Sequence, residues 1–256
     1  MMDHTRDAAL RRSQVYRFLA DAFLYPGENW LDDWPLLAGI LSDLAGPSGS
    51  KFEVGGLEFE VGSWKFEVGS SKSEVGNSEL GVGSWDLPAL QAEHRRVFGL
   101  TGSLCYETEC GLPHEFRQSQ EMADIAGFYR AFGFDTGGEV RERPDHIAAE
   151  LEFMHVLAIK EAWAAESGVS ERVEVCADAG RKFIQDHLGR WVGLLAQALE
   201  ASAGGGPYVA LGRLAASFVR ADAERLGARV EARPLAELRP TPAGPELSCE
   251  ACPIAE

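Results

Sequence analysis

Apolar residues recur at helical spacing along most of this chain. From Asp7 to Leu24, the residues Leu10, Val15, Phe18, Leu19, Ala22 and Phe23 fall on one face, and Tyr25-Pro26-Gly27 stops the run. A shorter helix is expected from Trp30 to Leu44, with Leu37, Ile40, Leu41 and Leu44 aligned. Asp86 is a good N-cap, Pro88 suits a first helical turn, and Leu90, Val97 and Phe98 supply the apolar face that Gly99 ends. Gln118 to Phe132 carries Met122, Ile125, Tyr129 and Phe132 in register, with Gly133 as the expected left-handed stop. Pro144 should open a long helix over Asp145 to Ala165, striped by Ile147, Leu151, Met154 and Leu157. Ser170 is expected to cap the next helix, Gly189 to break it, and Arg190 to Ala201 to follow; Pro207 starts a last helix through Leu226.

One stretch departs from this pattern. KFEVGG, EFEVGS, KFEVGS and KSEVGN begin at Lys51, Glu58, Lys65 and Lys72, a seven-residue period, and a degenerate ELGVGS follows at Glu79. A glycine in every unit, at about 1 kcal/mol relative to alanine inside a helix, argues against a coiled coil. Phe-Glu-Val alternation is strand-like, but three or four residues between breaks is short for a stable strand. We therefore expect a disordered or irregular insertion, residues 47–85, in a surface loop, where extra length costs little closure entropy. Outside it no run alternates convincingly, so the fold class is all-α: one helical bundle over residues 1–232, with a Pro-rich flexible tail at 233–256.

Charge narrows the partners. Forty acidic residues against 24 basic give a net charge of −16, which argues against nucleic acid, whose binding rests on Lys and Arg clusters. The N-terminal MMDHTRDAALRRSQ lacks the apolar core of a secretory signal, and no apolar run is long enough to span a bilayer. A cytoplasmic protein without stable membrane insertion is the expectation.

No catalytic apparatus is visible. A di-iron bundle needs two Glu-x-x-His pairs, and the chain offers one, Glu152 to His155. There is no HExxH, no phosphate loop, no dinucleotide fingerprint and no Gly-x-Ser-x-Gly elbow, so an enzyme is not expected. Of the five cysteines, Cys176 sits in an apolar helical pattern. Cys105 and Cys110 (C-x4-C) with Cys249 and Cys252 (CxxC) could together hold zinc or an iron–sulfur cluster, making a metal-handling protein the alternative reading. The bland account of the CxxC is a mobile tail with accessible thiols.

The polar residues suited to specific work gather around Arg143-Pro144-Asp145-His146. Glu139, Glu142 and Asp145 lie within a few residues of one another, and Glu107, Glu109 and Glu115 precede the helix before. Asp145 can be read simply as an acid near a helix start, where backbone N–H groups favour negative charge. Carboxylates grouped at a hinge and backed by Tyr129, Phe132 and Phe134 would also suit a peptide carrying arginines beside an apolar run.

CYETECG from Cys105, HEFRQSQEMADIAGFYRAFGF from His114 and ERPDHIAAELEFMHVLAIKEA from Glu142 closely resemble the TorD/DmsD/NarJ family of molybdoenzyme maturation chaperones. The resemblance covers nearly the whole chain except the repeat and the tail. It implies an all-helical, non-enzymatic chaperone, monomer or homodimer. Its partners would be the apo catalytic subunit of a molybdenum-containing oxidoreductase and that subunit's twin-arginine leader peptide. It assigns partner contact to Pro144, Asp145 and His146 of the hinge, with Glu142 beside them, and to Glu93, Phe98, Tyr106 and Glu107; Tyr129 backs the hinge. No resident cofactor is implied, although some members are reported to contact the molybdopterin cofactor or guanine nucleotide. Departures are the repeat, His94 where the family usually has Tyr, and the CxxC tail.

Overall fold

The computed structural model describes residues 2–28, 51–54, 57–60, 86–99, 104–110, 115–135, 142–203, 206–231 and 233. Among them the chain forms seven α-helices: α1 Met2–Ala22, α2 Leu87–Phe98, α3 Glu115–Ala131, α4 Ile147–Glu166, α5 Ser170–Phe183, α6 Gly189–Ala203 and α7 Pro207–Leu226. A 3-10 turn covers Glu107–Glu109, and a π turn, Ile184–Leu188, joins α5 to α6. The all-α reading holds. The expected helix from Trp30 to Leu44, the repeat beyond Glu60 and Cys249 and Cys252 of the tail lie outside the described residues.

The first two repeat units depart from the irregular insertion expected. Lys51–Val54 (β1) and Leu57–Glu60 (β2) pair antiparallel, with Lys51 opposite Glu60 and Phe52 opposite Phe59. One unit is too short to stand as a strand, but two adjacent units supply each other's backbone partners.

Helix α4 is the centre of the bundle. It lies along α1 on one side and α5 on another, and its Ile147, Leu151, Phe153, Met154 and Leu157 are all buried. Around it sit the largest enclosed side chains, Trp191, Tyr16, Tyr208, Phe23, Phe183 and Phe218. Charge is buried here too. Arg12 of α1 donates to Glu161 of α4 at 2.7 Å, and Tyr16 donates to Asp222 of α7, also at 2.7 Å. Such pairs are costly to split, because removing one partner strands the other charge away from water. Both members of the single Glu-x-x-His pair make contacts to α1. Glu152 reaches Arg17 at 3.3 Å, and His155 donates to the Ser13 carbonyl at 2.8 Å.

The helix signals place most boundaries. Asp86 Oδ1 accepts from Ala89 N–H at 2.8 Å, and Gly133 is left-handed at φ 67°. Three details differ. Helix α4 begins at Ile147, not Asp145, because His146 takes the N-cap position and Pro144-Asp145 belong to the turn before it. Val169, not Ser170, precedes α5, and no side chain caps it. Gly189 does not break the chain of helices. Its N–H reaches back to the Ile184 carbonyl to close the π turn, and a Cβ there would lie 2.5 Å from that oxygen. Glycine permits the close approach rather than a break.

Candidate functional site

The hinge is built by two backbone segments that run antiparallel. Tyr106 bridges His146, Glu107 N–H donates to the Asp145 carbonyl at 2.9 Å, and Ile147 N–H donates to the Cys105 carbonyl at 2.8 Å. This strap ties the 3-10 turn to the start of α4. From the other side, the Tyr129 hydroxyl of α3 donates to the Pro144 carbonyl at 2.7 Å.

Asp145 is fully enclosed, at 0% exposure. Arg143 grips it with two parallel bonds, Nε to Oδ1 at 3.0 Å and Nη2 to Oδ2 at 2.8 Å. Thr108 adds its hydroxyl to Oδ2 at 2.6 Å. That hydroxyl in turn accepts from Arg143 Nη2 at 2.9 Å and from Gln118 Nε2 at 3.1 Å, so both its lone pairs are used. The cation that Asp145 meets in the folded chain is therefore its own Arg143, not an incoming peptide's. Bidentate Arg–carboxylate geometry is among the stronger polar contacts a protein makes, and here it locks the turn.

His146 also works internally. Its Nδ1 accepts from Ala148 N–H at 3.1 Å and caps α4. Burial pushes its pKa down to about 4, which keeps the ring neutral and Nδ1 free to accept. The Tyr106 ring packs edge-on against it at 5.2 Å, and the Arg143 guanidinium lies over that same Tyr106 ring at 4.3 Å.

Glu107 is buried beneath the strap and accepts from His187 Nδ1 at 3.2 Å. Burial opposes a charge on His187, but the hydrogen bond and negative charge of Glu107, helped by Asp124, outweigh it and raise the pKa. His187 Nε2 lies 3.3 Å from Asp124 Oδ2, close enough for an ion pair but without hydrogen-bond alignment. Beside this pair sits Glu150, also enclosed, accepting from Trp191 Nε1 at 3.0 Å. Burial first, and then the adjacent Glu107, drive the Glu150 pKa well up, which favours the protonated acid. Its Oε1 has no hydrogen-bond partner.

The expected site residues thus fall into two groups. Tyr106, Glu107, Tyr129, Glu142, Pro144, Asp145 and His146 come together at the strap. Glu142 is half-buried, its pKa raised by burial against an opposing hydrogen bond from Tyr106. Glu93 and Phe98 sit apart on α2. Glu93 accepts from Arg96 at 2.7 Å, while Phe98 packs edge-on against Tyr208 at 5.0 Å, with His94 at 4.9 Å. Cys105 and Cys110 are in the core. Burial pushes the Cys105 thiol up, and the Cys110 thiol up to about 12, with nearby carboxylates adding to both shifts. A metal would need thiolates, which this environment disfavours. Among the described residues no cluster of three or more His, Cys, Asp or Glu has metal-binding geometry.

Sequence reasoning missed Glu150, His187 and Thr108, and it named Arg143 in the hinge without giving it a role. Glu150 did leave a signal, because it lies three residues after Ile147 and one before Leu151, inside the apolar stripe of α4.

A family model described as nitrate reductase delta subunit matches residues 80–197, from α2 into α6, and so contains the whole strap. That match, over just under half of the chain, supports a NarJ/TorD-like family of molybdoenzyme maturation chaperones. It is 36% identical over 105 residues to the perchlorate reductase assembly chaperone protein of Dechloromonas aromatica (strain RCB), covering 41% of this chain and 46% of the relative. It is 31% identical over 106 residues to the selenate reductase assembly chaperone protein of Thauera selenatis and, equally, to the chlorate reductase assembly chaperone protein of Ideonella dechloratans. Each of those matches covers 41% of this chain and 53% of the relative. The chain thus spans about half the length of the relatives it matches. These family relatives are assembly chaperones, not catalytic enzymes. No solved structure matches the chain. Among the described residues, no helix is long and apolar enough to cross a membrane.

Proposed function

We propose that the protein is a cytoplasmic, system-specific chaperone for one molybdopterin oxidoreductase of the dimethyl sulfoxide reductase superfamily. It binds the apo catalytic subunit, and the twin-arginine leader where the client has one, until cofactor insertion is complete and export can proceed. The observation that carries this reading is the family match over residues 80–197, which encloses the complete strap. The reductases named for the three relatives all act on oxyanions, which favours a client of that class. In this reading Asp145, His146, Glu107 and Tyr129 set the shape of the hinge from inside. Tyr106 and Glu142 beside it, and Glu93 and Phe98 apart on α2, are the partner-contacting residues.

Affinity purification of the tagged protein from its native cells, grown under respiratory conditions, tests the reading. The expected co-purifying species is the large subunit of one molybdenum oxidoreductase, depleted in molybdenum. Recovery of no molybdoenzyme subunit would overturn it. Isothermal titration with the client's leader then tests leader recognition. Binding at least tenfold weaker when both arginines are lysines is expected, and equal affinity would remove the leader from the proposal.

A further inference from the structure

Away from the strap, α3 and α5 diverge and leave an open groove of about 600 Å³. That volume falls in the range of about 300–1,000 Å³ typical of sites that hold a ligand. Its floor is apolar, made by Gly127, Phe128, Ala131 and Phe132 of α3 and its following turn and by Val175 and Ala179 of α5. Val175 is 53% exposed, an apolar side chain left facing water at the groove mouth. The rim is acidic. Asp124, Glu171, Glu174 and Asp178 line it against one ammonium, Lys182. Asp178 is already shared by Arg181 at 2.6 Å and Lys182 at 2.8 Å. Glu171 and Glu174 have no ion-pair partner among the described residues, and Asp124 is 68% exposed.

The groove is also connected to the strap. Asp124 stands on the rim and faces His187, which is buried and whose Nε2 makes no hydrogen bond. His187 in turn holds Glu107 beneath Tyr106. Phe128 of the floor packs edge-on against Phe183 at 5.4 Å and His187 at 5.5 Å. The apolar floor and the buried polar relay therefore share a wall.

We infer that this groove is a docking surface for a client segment that forms a basic amphipathic helix. Its apolar stripe lies on Phe128, Phe132 and Val175, and its flanking Arg or Lys side chains pair with Asp124, Glu171 and Glu174. This rests on the chaperone reading and locates one client contact on a different face from the hinge. Charge complementarity selects the occupant, because an apolar helix flanked by carboxylates would meet like charge along the whole rim. A second copy of this chain, with a net charge of −16, is disfavoured on the same ground.

The test uses the purified full chain and a fluorescein-labelled helical peptide of roughly 18 residues, with leucines at i, i+4, i+7 and i+11 flanked by arginines. Anisotropy titration should give saturable binding, lost at least tenfold when glutamates replace the arginines. Glu171→Lys with Glu174→Lys should weaken binding at least tenfold. Val175→Asp should do so independently, whereas Glu224→Lys, at an exposed position of α7, should leave it within twofold. These substitutions are all at exposed positions, and circular dichroism checks that the fold is kept. Absence of binding to the wild-type chain, or equal binding by the groove variants and the control, would overturn the inference. Recovery of the client by affinity purification would still stand in that case, so the two readings fail separately.

Discussion

Tyr129 of α3 donates its hydroxyl to the carbonyl of Pro144, the residue that opens the turn into α4, at 2.7 Å. The bond fixes the distance between the groove helix and the hinge, since the same residue packs on Phe134 at 4.8 Å and Phe153 at 4.9 Å. Tyr129→Phe keeps the ring contacts and leaves the Pro144 carbonyl short of its donor. We expect a loss of about 1–2 kcal/mol in urea unfolding, with an unchanged m-value. A variant as stable as the wild type would mean that water replaces the hydroxyl without cost.

Asp145 and Arg143 provide the next case. Asp145→Ala strands a guanidinium and the Thr108 hydroxyl together. Arg143 is 39% exposed, so part of its charge returns to water, and the expected cost is about 1–3 kcal/mol rather than that of a wholly buried pair. Far-UV circular dichroism should still show a helical protein at room temperature while the unfolding midpoint falls. Arg143→Ala leaves the enclosed Asp145 carboxylate without its cation and should cost more, about 3–5 kcal/mol, and the double variant should cost less than the two singles summed. Additive losses would show that the two residues are not coupled.

The helices were legible because a bundle writes its core as a period-3.6 stripe, and Asp86, Gly133 and Pro207 punctuate it with local chemistry. The strap was not. Thr108 and Asp145 are 37 residues apart, and Glu107 and His187 are 80 apart, separations over which sequence spacing carries no geometry. That is also why Asp145 could be read simply as an acid near a helix start: the Thr108 hydroxyl that helps enclose it comes from another segment. Gly189 read as a break because a glycine required for close backbone approach looks the same in sequence as one that ends a helix.

The buried Glu107–Glu150 pair sets an opposite pH trend from that of ordinary acids. Glu150 has a folded pKa above its unfolded value, so the native state binds the extra proton. Its contribution to stability is fully present below the unfolded value and is lost as pH rises toward the folded one. Glu150→Gln supplies a neutral group that can still accept from Trp191 and face Glu107 with N–H. We expect the variant to gain on the wild type as pH is raised from 5 to 8 in thermal unfolding. A constant difference across that range would show that Glu150 is ionised in the folded protein.

His146 predicts the reverse trend from the same few residues. As N-cap of α4 it must be neutral, since Nδ1 accepts from Ala148. The unfolded ring takes its proton near pH 6.5, while burial holds the folded one down to about pH 4. Between those values the unfolded chain binds more protons, so this contribution is complete above pH 6.5 and is lost as pH falls through the window. With a difference of about 2.5 in pKa, the loss amounts to about 3 kcal/mol. Asn caps helices well and does not titrate there. His146→Asn should therefore flatten the stability profile between pH 6.5 and 4, with midpoints from urea unfolding at fixed ionic strength as the measurement. At neutral pH the variant should sit slightly below the wild type, because the edge-on contact with Tyr106 is lost. The two curves should then converge or cross as the medium becomes acidic. An acid loss of the same size in His146→Asn would assign the pH dependence to other groups and leave His146 a cap alone.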